Sequence, residues 1–474
     1  MSSTSATMRP PASFPSRERC SLGKGPGARP RGRAEAEAAL FEELRIPSVS
    51  TLPEHRADVR RNCEWLAGRF RALGFEVSIT DVSEDGHPVL QADHRLKGGA
   101  PILTIYGHYD VQPPDPLELW ESPPFEPTVR DGLVFARGSA DNKGNHMAAL
   151  KAAEHALAAG GPPIDLRFIL EGEEEITGPS LPRYIRENAD RLRTDHVLLW
   201  DGGFSPDGRP ELVTGLRGIL YVELVASGPA VDLHSGAYGG VAPNPLNTLA
   251  HVIAALKDRE GRITIPGFYD GVGEPDPEET ADWDRSAAFG DRLRALMGAR
   301  ALEGEAEFSP VDRIWARPTL DVNGFLGGFT GEGKKTVIPA AGRAKVSMRL
   351  VPGQDPEQVL RSLRDYVSRL STPGVQIEVI RLGAAPPVLA PADHVAARAL
   401  SDAYAASFGQ PAARLRTGGS IPVAVDFQEA LGAPLVISGL SQPGAGAHSP
   451  NERFSLDHFH RGTEALLRFF WGLA

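Results

Sequence analysis

The sequence predicts an α/β protein with a largely parallel central sheet flanked by helices, and a second, α+β domain inserted into it. Short apolar segments typical of buried strands alternate with helical segments over the first part of the chain. A segment with its own strands and helices follows, and helix and strand patterns return near the end. The chain has 474 residues, more than one hydrophobic core usually supports, so two packed domains are expected.

The first domain is predicted to begin with an amphipathic helix followed by alternating strands and helices. After Pro53, the apolar residues Val59, Cys63, Leu66 and Phe70 recur at three- and four-residue steps, which places them on one helix face. The strands are then predicted at 75–82, 89–93, 102–106, 164–170 and 196–200, with helices at 143–159 and 181–192. This order predicts parallel strands joined by helices.

The inserted α+β domain is predicted from residue 215 to residue 382, with strands at 219–226, 343–350 and 375–380 and helices at 246–257 and 355–370. A helix at 395–406, a strand at 435–438 and a helix at 456–470 then return to the first domain. That domain is therefore predicted to comprise residues 34–214 and 383–474. Residues 1–33, rich in Pro, Gly, Ser and Arg, are predicted to be a disordered basic extension, and their composition also suits a transit peptide or a misassigned start.

Composition excludes several classes of function. The net charge of -11 argues against a nucleic-acid partner, because phosphate binding requires a basic face. No apolar run is long enough to span a bilayer. The two cysteines, Cys20 and Cys63, lie in different sequence contexts and cannot build a disulfide framework or a thiolate zinc site, so a cytoplasmic location is expected.

Imidazole and carboxylate side chains follow the ends of three predicted strands. His108, with Asp110 two residues later, follows strand 102–106, the run from Glu173 to Glu175 follows 164–170, and Asp201 follows 196–200. Ligands of parallel sheets gather beyond the carboxyl ends of the strands, so these groups are expected to converge on one edge. The alternatives are a structural histidine and a solvated acidic loop.

Two further candidates lie on loops. Asp141 stands in a turn before a helix, where it could also be an N-cap, and His448 stands on a Gly-rich loop. Two histidines with several carboxylates form a mixed nitrogen and oxygen donor set that suits zinc, cobalt or manganese. Bridging carboxylates suit a hydrolytic site with two metal ions.

The residues around these candidates resemble a known family. The motifs GHYDVQP, GSADNKG, EGEEEITG, LLWDG, DLHSGAYGG, KTVIP, SMRLVPGQ, GGSIPVA and GAHSPNE are similar to those of the zinc metallopeptidase family of aminoacylases, acetylornithine deacetylases and carnosine dipeptidases. The resemblance covers nearly everything after about residue 36 and is closest to cytosolic nonspecific dipeptidases. It implies a di-zinc catalytic domain, an inserted lid and dimerisation domain, and hydrolysis of a small peptide, most of all a dipeptide.

The resemblance also implies roles for individual residues. His108 and Asp201 would bind one metal ion, Glu175 and His448 the other, and Asp141 would bridge both. Glu174 would be the general base, Asp110 would orient His108, and Glu173 would be a spare acid. The peptide bond between Asp141 and Asn142 is expected to be cis.

Substrate-binding residues are implied in the inserted domain and near the C-terminus. His234 would reach into the partner subunit of a homodimer and stabilise the oxyanion. Arg349 would hold the substrate carboxylate, aided by Thr336 and by Gly419 and Ser420.

The sequence departs from the carnosine-type dipeptidases at one position. Thr417 replaces a glutamate expected to contact the free amino end of the substrate. The loss of that carboxylate leaves an N-acyl amino acid deacylase as the alternative function. A non-catalytic metal-binding relative is a further alternative, against which the full set of predicted ligands speaks.

Overall fold

The structure is a computed structural model that describes residues 31–96, 99–285, 289–418 and 422–474. Residues 1–30 of the predicted basic extension lie outside the described residues. The last residues of that extension were wrongly assigned, because helix α1 already begins at Arg31. None of the helices described is long and apolar enough to cross a membrane.

The helices are bounded as follows: α1 Arg31–Leu44, α2 Arg56–Ala72, α3 Gly144–Ala158, α4 Ser180–Glu187, α5 Ser235–Tyr238, α6 Pro245–Ala255, α7 Pro277–Arg285, α8 Phe289–Met297, α9 Pro310–Trp315, α10 Pro356–Leu370, α11 Val395–Phe408, α12 Pro422–Leu431 and α13 Leu456–Gly472. The strands are β1 Glu76–Thr80, β2 Val89–His94, β3 Ile102–His108, β4 Thr128–Arg130, β5 Leu133–Phe135, β6 Asp165–Glu171, β7 His196–Gly203, β8 Glu211–Leu216, β9 Gly218–Ser227, β10 Leu233–His234, β11 Thr319–Gly327, β12 Val337–Ile338, β13 Ala341–Leu350, β14 Gln376–Ala385, β15 Val388–Leu389, β16 Ala413–Thr417, β17 Leu435–Ser441 and β18 Arg453–Ser455.

The central sheet has six strands in the order β1-β2-β6-β3-β7-β17. Strands β6, β3, β7 and β17 run parallel, while β1 and β2 form an antiparallel edge. The parallel strand β6 is buried along its whole length, as expected for a strand with helices on both faces. The predicted largely parallel α/β fold is therefore confirmed.

Helices cover the two faces of this sheet. One core cluster joins apolar residues of the sheet to α1, α2, α3, α11 and α13. The cluster on the other face includes residues of α4 and α12. Helix α4 is shorter than the predicted 181–192, because the chain leaves helical geometry at Asn188 and the Asn188 side chain bonds the carbonyl of Tyr184.

A second sheet, antiparallel and with the order β11-β13-β9-β14, forms a separate domain with its own core. Alternate residues of β9, including Leu220, Val222 and Leu224, face this core together with apolar residues of α6 and α10. The opposite face of the sheet carries half-exposed residues such as Arg349. All buried members of this core lie between residues 220 and 379, inside the inserted segment.

The structure also contains elements that the sequence pattern did not predict. Strands β8 and β16 are parallel partners in a small sheet with β15. Trp283 and Trp315, from α7 and α9, pack with Ala413 and Leu415 of β16. The inserted segment therefore supplies helices that pack on β16 and lie outside its own four-stranded sheet.

Candidate active site

The predicted rim is built by three neighbouring parallel strands. His108 is the last residue of β3, Glu171 ends β6 before the glutamate run, and Asp201 lies near the end of β7. Strand β3 pairs with both β6 and β7, so these three ends lie side by side. Asp141 and His448 reach the same place from their loops.

Asp141 lies between the two histidines. Its Oδ1 is 2.9 Å from Nε2 of His108, and its Oδ2 is 3.0 Å from Nε2 of His448. Nε2 of His108 is also 3.6 Å from Oδ1 of Asp201, and Nε2 of His448 is 3.1 Å from Oε2 of Glu175. Each histidine thus has its own carboxylate and shares Asp141 with the other.

This donor set fits divalent metal ions. Donor atoms of His108, Asp141 and Glu175 all lie within 4.8 Å of one another, close enough to belong to one compact metal site. Imidazole nitrogens with carboxylate oxygens are ligands that zinc, cobalt and manganese accept. Asp201 reaches this group through its contact with His108.

Glu452 fixes the loop that carries Asp141. Its buried carboxylate accepts hydrogen bonds from the backbone N–H groups of Gly138, Ala140 and Asp141, and from Nη1 of Arg137. The Asp141–Asn142 peptide bond is cis, as expected. Glu452 was not identified from the sequence, although it closes the GAHSPNE motif that contains His448.

Asn142 positions another predicted ligand. Its side-chain amide donates hydrogen bonds to the carboxylate of Asp201 and to the backbone carbonyl of Trp200. Asn142 belongs to the GSADNKG motif, but the motif alone did not indicate that it contacts Asp201.

Asp110 is fully buried and orders the glutamate loop. Its two carboxylate oxygens accept hydrogen bonds from the backbone N–H groups of Glu174 and Glu175, at 3.3 and 3.1 Å. Nδ1 of His108 lies 3.1 Å from the backbone carbonyl of Asp110 and 3.4 Å from its carboxylate. The nearer acceptor for the His108 ring is therefore the carbonyl.

Glu173 has a structural role and lies outside the predicted ligand set. It is buried, and its carboxylate accepts hydrogen bonds from the backbone N–H groups of His87 and of Ser180 at the start of α4. These bonds hold Glu173 away from the rim. Glu174 and Glu175 are the members of the run whose carboxylates share the site with Asp141.

The crowded charges shift the titration of the site. Burial raises the pKa of Glu174 to about 8, with His108 opposing the shift and Asp201, Glu175 and Asp141 adding to it. Burial alone would raise the pKa of Asp141, but its hydrogen bonds to His108 and His448 lower it. Hydrogen bonds to Asp141 and Glu175 raise the pKa of His448 to about 10.

The predicted substrate residues lie apart from this cluster. His234 and Thr336 are exposed neighbours on the inserted domain, where the Thr336 carbonyl accepts a hydrogen bond from the backbone N–H of Ser235. Among the residues that the structure describes, no hydrogen bond or ion pair joins His234 to the cluster. Arg349 is half-buried on β13, and Gly419 and Ser420 lie outside the described residues.

Comparison with known proteins identifies the family. The model of peptidase family M20/M25/M40 matches residues 104–471. A Cys-Gly metallodipeptidase of Schizosaccharomyces pombe is 30% identical over 452 residues, which cover 92% of this chain and 94% of that protein.

Solved structures agree. An M20 family metallo-carboxypeptidase from Sulfolobus solfataricus is 32% identical with a TM-score of 0.77, covering 92% of this chain and 98% of that one. Human carnosine dipeptidase 1 is 28% identical with a TM-score of 0.71, covering 94% and 96%. The chain belongs to peptidase family M20/M25/M40.

Proposed function

We propose that this protein is a metal-dependent dipeptidase that hydrolyses the peptide bond with Glu174 as general base. The observation that carries the proposal is the position of Asp141, with one carboxylate oxygen toward each histidine. The M20 relatives named as dipeptidases support the choice of substrate.

We assign the metal ligands from the same geometry. His108 and Asp201 hold one ion, Glu175 and His448 hold the other, and Asp141 serves both. Zinc is the ion we propose, with manganese and cobalt compatible with the donors. Bound divalent ions acidify a water molecule and polarise the carbonyl oxygen of the substrate.

Glu174 moves the proton. Its carboxylate lies among the ligands, and burial disfavours its charged form, so it accepts a proton from the attacking water and returns it to the departing amine. The backbone of Glu174 is held by Asp110, which limits where the carboxylate can lie. Nδ1 of His108 faces the Asp110 carbonyl, which selects the tautomer with Nε2 free to bind metal.

His234 is assigned to the site of a partner subunit. It is exposed, and the nearby residues Val231, Tyr238 and Val241 are exposed apolar side chains, with Val241 90% accessible. Such a surface marks a protein contact, which supports a homodimer. Mixing inactive His234→Ala and Glu174→Gln proteins should restore activity, because one site of the mixed dimer has both residues; no recovery would remove His234 from this role.

Thr417 favours one second candidate, deacylation of N-acyl amino acids. It lines a cavity of about 400 Å³ whose other lining residues include the apolar Phe204, Val213, Trp315 and Leu415 and the charged Glu211 and Arg416. An acyl group suits the apolar part of this lining. The leaving amino acid and the metal chemistry are the same as for a dipeptide.

Hydrolysis of a small panel separates these functions. Purified protein with zinc or manganese is tested on free dipeptides and on N-acetyl and N-succinyl amino acids, and again after chelation. Chelator-sensitive cleavage that is fastest on free dipeptides is the expected result. Cleavage of only the acylated compounds would transfer the function to deacylation, and no cleavage would refute both.

A further inference from the structure

Glu211 is an acidic side chain without a cationic partner in the cavity that Thr417 also lines. It is half-buried at the start of β8, and its Oε1 accepts a hydrogen bond from the backbone N–H of Gly203 at 2.8 Å. No ion pair of Glu211 occurs in the described part of the chain. The other charged residue of this lining, Arg416, is paired with Glu279 instead, with 2.7 Å between Nη2 and Oε2. Burial raises the pKa of Glu211, so a cation bound beside it would stabilise the carboxylate.

The cavity is bordered by three segments that lead to the candidate active site. Phe204 follows the metal ligand Asp201 by three residues, and Gly444 lies on the loop that leads to His448. Thr417 stands where the amino end of the substrate is expected to lie. The volume of about 400 Å³ lies within the range of small-ligand pockets. The cavity is therefore placed to receive part of a substrate that is bound at the metal ligands.

The register of β8 and β16 separates Glu211 from Thr417. The two strands are parallel, with Glu211 opposite Ala413 and Leu216 opposite Thr417. Five residues of β8 span about 16 Å, at roughly 3.3 Å per residue. Glu211 is therefore too far from Thr417 to take the place of the carboxylate that is missing there. A charge that reaches Glu211 must be carried at the end of a long side chain of the N-terminal residue.

The rest of the lining determines which cation fits. Phe204, Val213, Trp315 and Leu415 present apolar and aromatic groups, on which the alkyl part of a side chain can pack. Aromatic rings also attract organic cations, whereas a hard metal ion requires several oxygen ligands. We propose that this cavity binds the cationic side chain of the substrate's N-terminal residue, a lysine or an arginine, with Glu211 as the counter-ion. This inference rests on the proposed function.

The kinetic test compares lysyl-alanine with norleucyl-alanine, which lacks only the side-chain ammonium group. The wild-type protein should have a kcat/KM about 10- to 100-fold higher for lysyl-alanine. Glu211→Gln, which keeps an acceptor for the Gly203 N–H, should remove this preference mainly through KM and change norleucyl-alanine by less than about threefold. Glu76→Gln, at an exposed glutamate of the edge strand β1, is the matched control and should leave both substrates unchanged. Equal kcat/KM values in the wild type, or equal losses in Glu211→Gln, would overturn the proposal.

A binding test separates this proposal from the proposed function. Free lysine should raise the melting temperature of the wild-type protein more than free norleucine does, and Glu211→Gln should abolish the difference. Glu211→Asp, which keeps the charge on a shorter side chain, serves if the glutamine variant does not fold, and should retain a smaller difference. No difference in the wild type, or an undiminished one in Glu211→Gln, would overturn the cation site. Failure of all dipeptide hydrolysis with this binding pattern intact would refute only the proposed function.

Discussion

Replacing Glu452 by glutamine should loosen the loop that carries Asp141. The carboxylate of Glu452 uses Oε1 for the N–H groups of Ala140 and Asp141, and Oε2 for Gly138 and Arg137. Glutamine keeps one acceptor oxygen, but its NH2 group would face two donors. The side chain at position 452 keeps its shape but loses one of its two acceptor oxygens.

The size of the expected loss in the free energy of unfolding follows from the burial of this ion pair. Side chains of Arg137 and Glu452 are 1% and 0% exposed, and breaking such a buried pair costs about 3–5 kcal/mol. Two lost hydrogen bonds to a charged group, at about 1.5–3 kcal/mol each, give a similar total. The free energy of unfolding should therefore fall by about 3–5 kcal/mol, and metal affinity by about 10- to 100-fold.

Urea unfolding followed by tryptophan fluorescence measures the first effect, and metal retention during dialysis against a chelator measures the second. The control is Glu121→Gln, which removes an exposed ion pair with Arg130 at 2.9 Å, where the loss should be under about 1 kcal/mol. If the free energy of unfolding of Glu452→Gln lies within about 1 kcal/mol of the wild-type value and the variant keeps its metal, Glu452 does not stabilise this loop.

Three further predictions follow from shifted pKa values. In the metal-free protein, hydrogen bonds raise the pKa of His448 to about 10, so a metal ion must displace a proton to bind this imidazole. The metal affinity, measured by competition with a chelator, should therefore rise about tenfold per pH unit between about pH 6.5 and 8.5. Burial raises the pKa of Cys63 to about 12, so Cys63 in a Cys20→Ser background should resist a thiol reagent at about pH 8 until the protein unfolds. Burial lowers the pKa of Lys143 from 10.5 to about 8, so the folded state binds fewer protons than the unfolded state between these values. The urea stability of wild type relative to Lys143→Met should therefore rise with pH over that range and stay flat below it.

The sequence predicted those parts of the fold and site that depend on local pattern. Continuous apolar segments such as 102–106 identified the buried parallel strands, and the polar residue after each strand identified the rim. His108 and Asp201 are brought together because their strands are neighbours in the sheet.

The remaining features depend on contacts between distant parts of the chain. Glu452 binds a loop more than 300 residues away, and nothing around it in the sequence indicates that partner. In the sequence Glu173 cannot be distinguished from its neighbours in the acidic run. Its buried position becomes evident only from the hydrogen bond that its carboxylate accepts from the backbone N–H of His87. Strands β8 and β16 are short, and each is identified as a strand by its parallel pairing with the other, which the sequence does not indicate.

The central claim is that the cluster around Asp141 binds two metal ions while Glu174 carries the proton without binding metal. The most direct measurement is metal content and dipeptide turnover for wild type and Glu174→Gln side by side. We expect two ions per chain in both proteins, and a kcat lower by about 10²- to 10⁴-fold in the variant. Turnover near the wild-type value, or loss of an ion from the variant, would contradict the role assigned to Glu174.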